Sequence, residues 1–181
     1  MSYVLAGLAL AAGVYAAILY NGFVRDRNRV LSAWSDIDVQ LKRRHDLLPK
    51  LVEAVRRYAD YERATLESIA QLRARSEQAH EVREIGALEG ALSAGVRRLF
   101  ALVEDYPELA ADAGFLDLQR NVSEVEEHIQ YARRYYNGAV RALNTRVDSF
   151  PDLLVARVFA FLPAQYFELE DPAQARVPEA I

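Results

Sequence analysis

The sequence predicts an all-α protein, with an N-terminal transmembrane helix followed by an antiparallel up-and-down four-helix bundle. Three observations carry this. No side chain from Met1 to Val24 is charged, four later stretches repeat apolar residues at steps of three and four, and no stretch alternates apolar and polar residues as a half-buried strand would. A chain of 181 residues holds one domain with a core and is short for two. Its net charge of -4 gives no general attraction for nucleic acid. The lack of cysteine removes disulfides, thiolate nucleophiles, zinc thiolate sites and a lipoprotein attachment point.

Tyr3 to Tyr20 reads YVLAGLALAAGVYAAILY, roughly the 18 apolar residues that suffice to cross a bilayer. Tyr3, Tyr15, Tyr20 and Phe23 lie largely towards its ends, where amphipathic rings favour the headgroup boundary. The competing reading, a cleaved signal peptide, requires Lys or Arg before the apolar run, and none is present. Arg25, Arg27 and Arg29 follow the run, so the positive-inside rule places the N-terminus outside and the bulk of the chain in the cytoplasm.

The first cytoplasmic helix is marked by Val30, Trp34, Ile37 and Leu41 and is expected to end near Asp46 to Leu48, before Pro49, although a kink in one longer helix is the alternative. Leu51, Val55, Tyr58, Thr65, Ile69 and Leu72 carry a second helix to about Ala79, and His80 to Gly86 reads as a turn. Leu88, Leu92, Val96, Leu99 and Val103 define a third, closed by the Tyr106-Pro107 step. The fourth runs from Phe115 through Leu118, Val122, Val125, Ile129, Ala132, Tyr136, Val140, Leu143 and Val147 to Phe150, a seam about 50 Å long at about 1.5 Å per residue. Short connections between amphipathic helices favour antiparallel neighbours. The chain thus divides into an anchor at 1–24, a four-helix cytoplasmic bundle at 25–150, an apolar C-terminal segment at 151–167 and a disordered tail at 168–181. Phe150 to Phe167 is too apolar to dangle and too interrupted to span. It is expected to pack under the bundle or lie on the inner leaflet, and removal of Pro163 onward is expected to leave the fold intact.

Tyr20 to Asn28, YNGFVRDRN, is echoed by Tyr136 to Asn144, YNGAVRALN. Asn21 and Asn28, like Asn137 and Asn144, stand seven residues apart on one helix face, and their amides are expected to hydrogen-bond across the helix pair and fix its register.

No catalytic, cofactor or metal site is expected. Asp38, Lys42 and Asp46 share a helix face with His45 beside them, an acid/base or metal candidate, but Lys42, Arg43 and Arg44 near a helix C-terminus explain the same residues as surface charge. A di-metal bundle site needs two Glu-x-x-His pairs and two further Glu; only Glu77 and His80 have that spacing, in a polar stretch, and Glu124 to His128 has the wrong interval. The arginine pairs 56–57, 97–98 and 133–134 are interleaved with acids, as on a solvated face, while Arg25, Arg27 and Arg29 sit where anionic headgroups would be.

The stretches YNGFVRDRNRVLSAWSDIDVQLKRRHDLLPKLVEAVRRYADYERATLE and LFALVEDYPELAADAGFLDLQRNVSEVEEHIQYARRYYNGAVRALNTRVDSFP cover most of the chain, and AWSDIDVQLKRRHDLLPKLVE is the most specific part. Together they resemble the LemA family of bacterial membrane proteins. The resemblance implies a single N-terminal anchor in the bacterial inner membrane, a cytoplasmic four-helix bundle and no enzymatic activity. Relatives tied to magnetosome membranes imply a membrane-organising or scaffolding role in some members. The expected function is a non-enzymatic, membrane-anchored interaction or scaffold module, touching the lipid bilayer and a protein partner, a second copy included, but no nucleic acid. The alternatives are a membrane-organising protein that acts by self-association and a membrane-linked sensor, which would need titratable side chains converging in the core.

Overall fold

The computed structural model describes residues 1–58 and 63–169. Among these described residues six helices follow in order: α1 (Ser2–Arg56), α2 (Arg63–Gln78), α3 (Val82–Val103), α4 (Pro107–Ala110), α5 (Ala113–Asp148) and α6 (Asp152–Val158). No strand occurs among the described residues, in line with the all-helical expectation.

Helix α1 runs 55 residues without a break, about 82 Å at about 1.5 Å per residue. Among the described residues it alone is long and apolar enough to cross a membrane, and none of its apolar window is buried against the rest of the chain. From Phe23 onward one face turns inward, with Val30, Ala33, Ile37, Leu41 and Leu48 in the core.

The expected end of this helix before Pro49 is corrected by a hydrogen bond from elsewhere in the chain. Proline has no N–H for the carbonyl four residues back, which is that of His45. Arg73 of α2 donates its Nε–H to that carbonyl at 2.8 Å, so the orphaned acceptor is satisfied and α1 continues to Arg56. Leu51 and Val55, assigned to a second helix, are therefore buried residues of α1, and α2 begins at Arg63. The turn expected over His80 to Gly86 is shorter, because Val82 already opens α3.

Asp26 faces Arg146, Trp34 lies against Tyr136 and Arg43 reaches Glu124, so α1 and α5 run antiparallel. Ser76 opposes Glu89 and Ile69 meets Gly95, which makes α2 and α3 an antiparallel hairpin. Two cores result. One joins α1, α5 and the C-terminal segment; the other joins the far end of α1 to α2, α3 and the start of α5. All five residues of the third seam are buried. The fourth is buried too, apart from half-buried Leu118 and Ala132 and from Phe150, which lies past the helix end and is exposed. Asp112 caps α5 by accepting from the Phe115 N–H at 2.8 Å.

After α6, Ala160 adopts a left-handed φ of 54°, and the Phe161 N–H bonds back to the Ala156 carbonyl at 2.9 Å. This is the geometry that ends a helix and reverses the chain. Residues 161–169 then form a non-helical strap against α1 and α5. The C-terminal segment packs on the body, as one of the two expectations held. Contrary to expectation, the part beyond Pro163 belongs to the core, since Phe167 is fully buried. Glu168 and Leu169, assigned to the tail, still pack, the former against Gly86. The rest of the expected disordered tail, 170–181, lies outside the described residues.

Candidate functional site

Apolar seams predict their own gaps. On α1 the inward positions step through Ile37, Leu41, Leu48, Leu51 and Val55, and the position missing from that rhythm is Arg44. On α2, Leu66 and Ile69 lead to Arg73 and Ser76; on α3, Leu92 and Val96 are preceded by Glu89. At one level, seam positions are thus filled by polar groups that must find one another or remain unsatisfied in the core.

They do find one another. Arg44, with no exposed side-chain surface, donates from Nη1 to Glu89 Oε2 at 2.9 Å and from Nη2 to Ser93 Oγ at 2.9 Å, and its Nη2 lies 2.8 Å from Glu126 Oε1 of α5. The other oxygen of Glu89 meets His45 Nε2 at 2.7 Å and accepts the Ser76 hydroxyl. Ser93 in turn donates its hydroxyl to Glu126 Oε2 at 2.9 Å. Arg73, besides serving the His45 carbonyl, pairs with Glu77 at 2.8 Å, and Glu77 stands 3.8 Å from His45 Nδ1. One connected set of ions thereby ties α1, α2, α3 and α5 together. Burial by itself pushes the Glu89 carboxyl upward, but the hydrogen bond from His45, the Arg44 charge and the Ser76 hydroxyl outweigh it and hold the group below the ordinary carboxylate range.

Arg44 and His45, expected among surface charges, are instead both buried. The missed signal was the seam rhythm. Asp38 and Lys42 do form an exposed pair at 2.6 Å, as expected of a solvated face. Glu77 and His80 are exposed, as are the arginine pairs apart from half-buried Arg133. Among the described residues no group of three or more His, Asp or Glu is placed to hold a metal ion.

The echoed asparagines do something else than expected. Asn137 donates to the Phe167 carbonyl at 3.0 Å and accepts the Phe167 N–H at 2.9 Å; Asn144 does the same to Ala164 at 3.0 and 2.8 Å. Seven helical residues rise about 10.5 Å, and three residues of extended chain cover about 10 Å. Two amides two turns apart therefore grip an extended peptide at every third residue. Tyr136 adds a third hold by donating to the Gln165 carbonyl at 2.8 Å, and its burial raises the phenol's pKa. Asn21 and Asn28, the other copy, are exposed on α1 and make no such clasp among the described residues.

Beside the apolar span lies a third group. Arg146 bonds Asp26 at 2.7 Å and Asp152 at 2.5 Å, donates to the Leu19 carbonyl at 3.4 Å, and stacks over the Phe23 ring at 4.5 Å. Its guanidinium fills the space above Gly22, where a Cβ would meet Nη1 at 2.6 Å. A Cβ there would push the guanidinium away from its carboxylate partners, and glycine leaves it in place. Burial alone would lower the Arg146 pKa, but its two carboxylate partners raise it on balance.

These features define an all-helical protein whose one apolar span and folded body share a single helix, cross-braced by buried ions. The chain belongs to the LemA family, whose family model matches residues 33–180. It is similar to Protein LemA of Metamycoplasma hominis, at 27% identity over 72% of this chain and 60% of that protein. It is also similar to Magnetosome protein MamQ 2 of Paramagnetospirillum magneticum, at 25% identity over 85% of this chain and 66% of the relative, and to Magnetosome protein MamQ of Magnetospirillum gryphiswaldense, at 22% over 92% and 71%. The chain thus spans less than two thirds of the length of the first two.

Proposed function

We propose that this protein is a single-pass, membrane-anchored and non-enzymatic interaction module that holds a protein partner at the inner face of the bacterial membrane. In this reading residues 1–24 are the anchor, the N-terminus lies outside, and residues 25–150 form an antiparallel up-and-down four-helix bundle in the cytoplasm. The observation that carries it is the continuity of α1: an apolar span with no buried window passes without a break into the helix that organises both cores. Such a helix couples the body rigidly to the bilayer, and the Arg25, Arg27 and Arg29 flank favours the cytoplasmic side for the body.

A self-associating, membrane-organising role is the second reading. Leu31, Val39, Tyr131 and Tyr135 of α1 and α5 are each 54–59% exposed and offer apolar surface for a second copy. The relatives named magnetosome proteins support it. Crosslinking in native membranes followed by mass measurement tests both. Crosslinks to other proteins are expected from the first reading and copy-to-copy crosslinks from the second, while a strict monomer without neighbours would sink the two together. Asp112→Cys, probed in intact cells with an impermeant thiol reagent, is expected to stay unlabelled; strong labelling would reverse the topology.

A further inference from the structure

Four large apolar side chains at the end of α5 and along α6 are open: Phe150 (79%), Leu154 (55%), Val158 (76%) and Phe159 (53%). Leu154 and Val158 lie one turn apart on one face of α6, while Val155 and Ala156 on its other side are buried against the body. The helix therefore presents apolar side chains on both its inner and its outer face. A cluster of exposed apolar side chains of this kind marks a contact surface.

Its position says what covers it. Arg146 holds three partners at once: Asp26 below the apolar run, the Leu19 carbonyl within it, and Asp152 in the first turn of α6. At the other end of α6 the Phe159 ring stands 4.8 Å from the Tyr20 ring, edge to face. Helix α6 is thus fixed beside residues 19–26 of α1, the level at which the uncharged run gives way to Arg25, Arg27 and Arg29. The uncharged run of 24 residues is about 36 Å long at about 1.5 Å per residue, against about 30 Å of hydrocarbon. Its last turn therefore emerges into the headgroup layer, and α6 is carried there with it. Exposed Arg157 lies on α6 at the same level, where its charge can reach lipid phosphates.

We propose that α6 and the preceding Phe150 form an interfacial collar, which lays Phe150, Leu154, Val158 and Phe159 into the headgroup boundary of the bilayer as a second lipid contact beside the span. The collar rests on the anchored reading of α1. With the Arg146 bridge it sets the depth of the body against the membrane, since neither α5 nor α6 can move away from the lipid without breaking contacts to Asp26 and Tyr20.

The full chain has no cysteine, so single thiols report position without background. Leu10→Cys in the span, Val158→Cys in the collar and Glu104→Cys at an exposed distal position are each labelled with a fluorophore. Each is then placed in vesicles of phosphatidylethanolamine and phosphatidylglycerol without bromine, with acyl chains brominated near the headgroup, which report on Val158, or with acyl chains brominated near their ends, which report on Leu10. The collar predicts that bromolipid lowers the Val158 signal about twofold while the Glu104 signal is unchanged. A Val158 probe no more quenched than that at Glu104, with Leu10 quenched, overturns the collar and leaves the anchor standing, including the case where a second copy covers α6. Loss of quenching at Leu10 as well refutes the anchor and the collar with it.

Discussion

Replacing Arg73 by Met should destabilise the natural chain by about 2 kcal/mol, yet by under about 1 kcal/mol once Pro49 is Ala. The difference comes from one carbonyl. In the natural chain the His45 oxygen has lost its helical donor to Pro49 and takes the Arg73 Nε–H at 2.8 Å instead. Arg73→Met keeps most of the aliphatic stem but removes that donor, and a charged hydrogen bond of this kind contributes about 1.5–3 kcal/mol. It also removes the pair with Glu77, whose side chains are 30% and 41% exposed, so screening limits that part to under about 1 kcal/mol. In Pro49→Ala, the new Ala N–H bonds His45 in the ordinary helical way, and only the screened pair is left to lose. The double-mutant cycle should therefore show a coupling of about 1.5 kcal/mol, the contribution of that hydrogen bond, measured by urea unfolding of the protein in detergent micelles with far-UV circular dichroism. Additive effects within about 0.3 kcal/mol would refute the idea that Arg73 carries α1 through Pro49.

Three further outcomes follow from the same geometry. Glu89→Gln should cost about 3–5 kcal/mol at neutral pH, because it strips a buried arginine of the fully buried one of its two counter-charges. Glu89's folded pKa lies below its ordinary value of 4.5, so its stabilisation is complete above about that pH and fades as pH falls through the lower folded value. Unfolding curves of the two proteins should accordingly converge on acidification, and a constant gap down to strongly acidic pH would contradict the pairing. Asn137→Ala with Asn144→Ala should free the strap; since Phe167 lies 5.6 Å from the single tryptophan, Trp34, its emission should shift to the red and proteases should gain access to residues 161–169. Unchanged emission and protection would mean the clasp is dispensable. Ile129→Asp places a charge at a position with no exposed surface and should cost several kcal/mol, on the order of 3–5; a thermal midpoint near that of the natural chain would argue against the α5 seam.

The helical class, the apolar run and the third and fourth seams were legible in the residues alone, because helical periodicity is written within a few neighbouring residues, whereas the Asp112 cap came to light only with the fold. What it left undecided always depended on a partner far along the chain. Pro49 ends a helix unless residue 73 supplies a donor, and no local pattern announces that it does. The run LKRRH reads as solvated charge, yet Arg44 is the one that falls on the seam and meets Glu89, 45 residues on, while Arg43 beside it stays at the surface with Glu124. The two YNG copies show the same limit, for identical spacing leaves Asn21 and Asn28 in the open and sets Asn137 and Asn144 on the strap. Local chemistry specifies which way a backbone coils and which face is apolar; only the packed tertiary structure decides which polar groups lose their water, and so which ones must find each other.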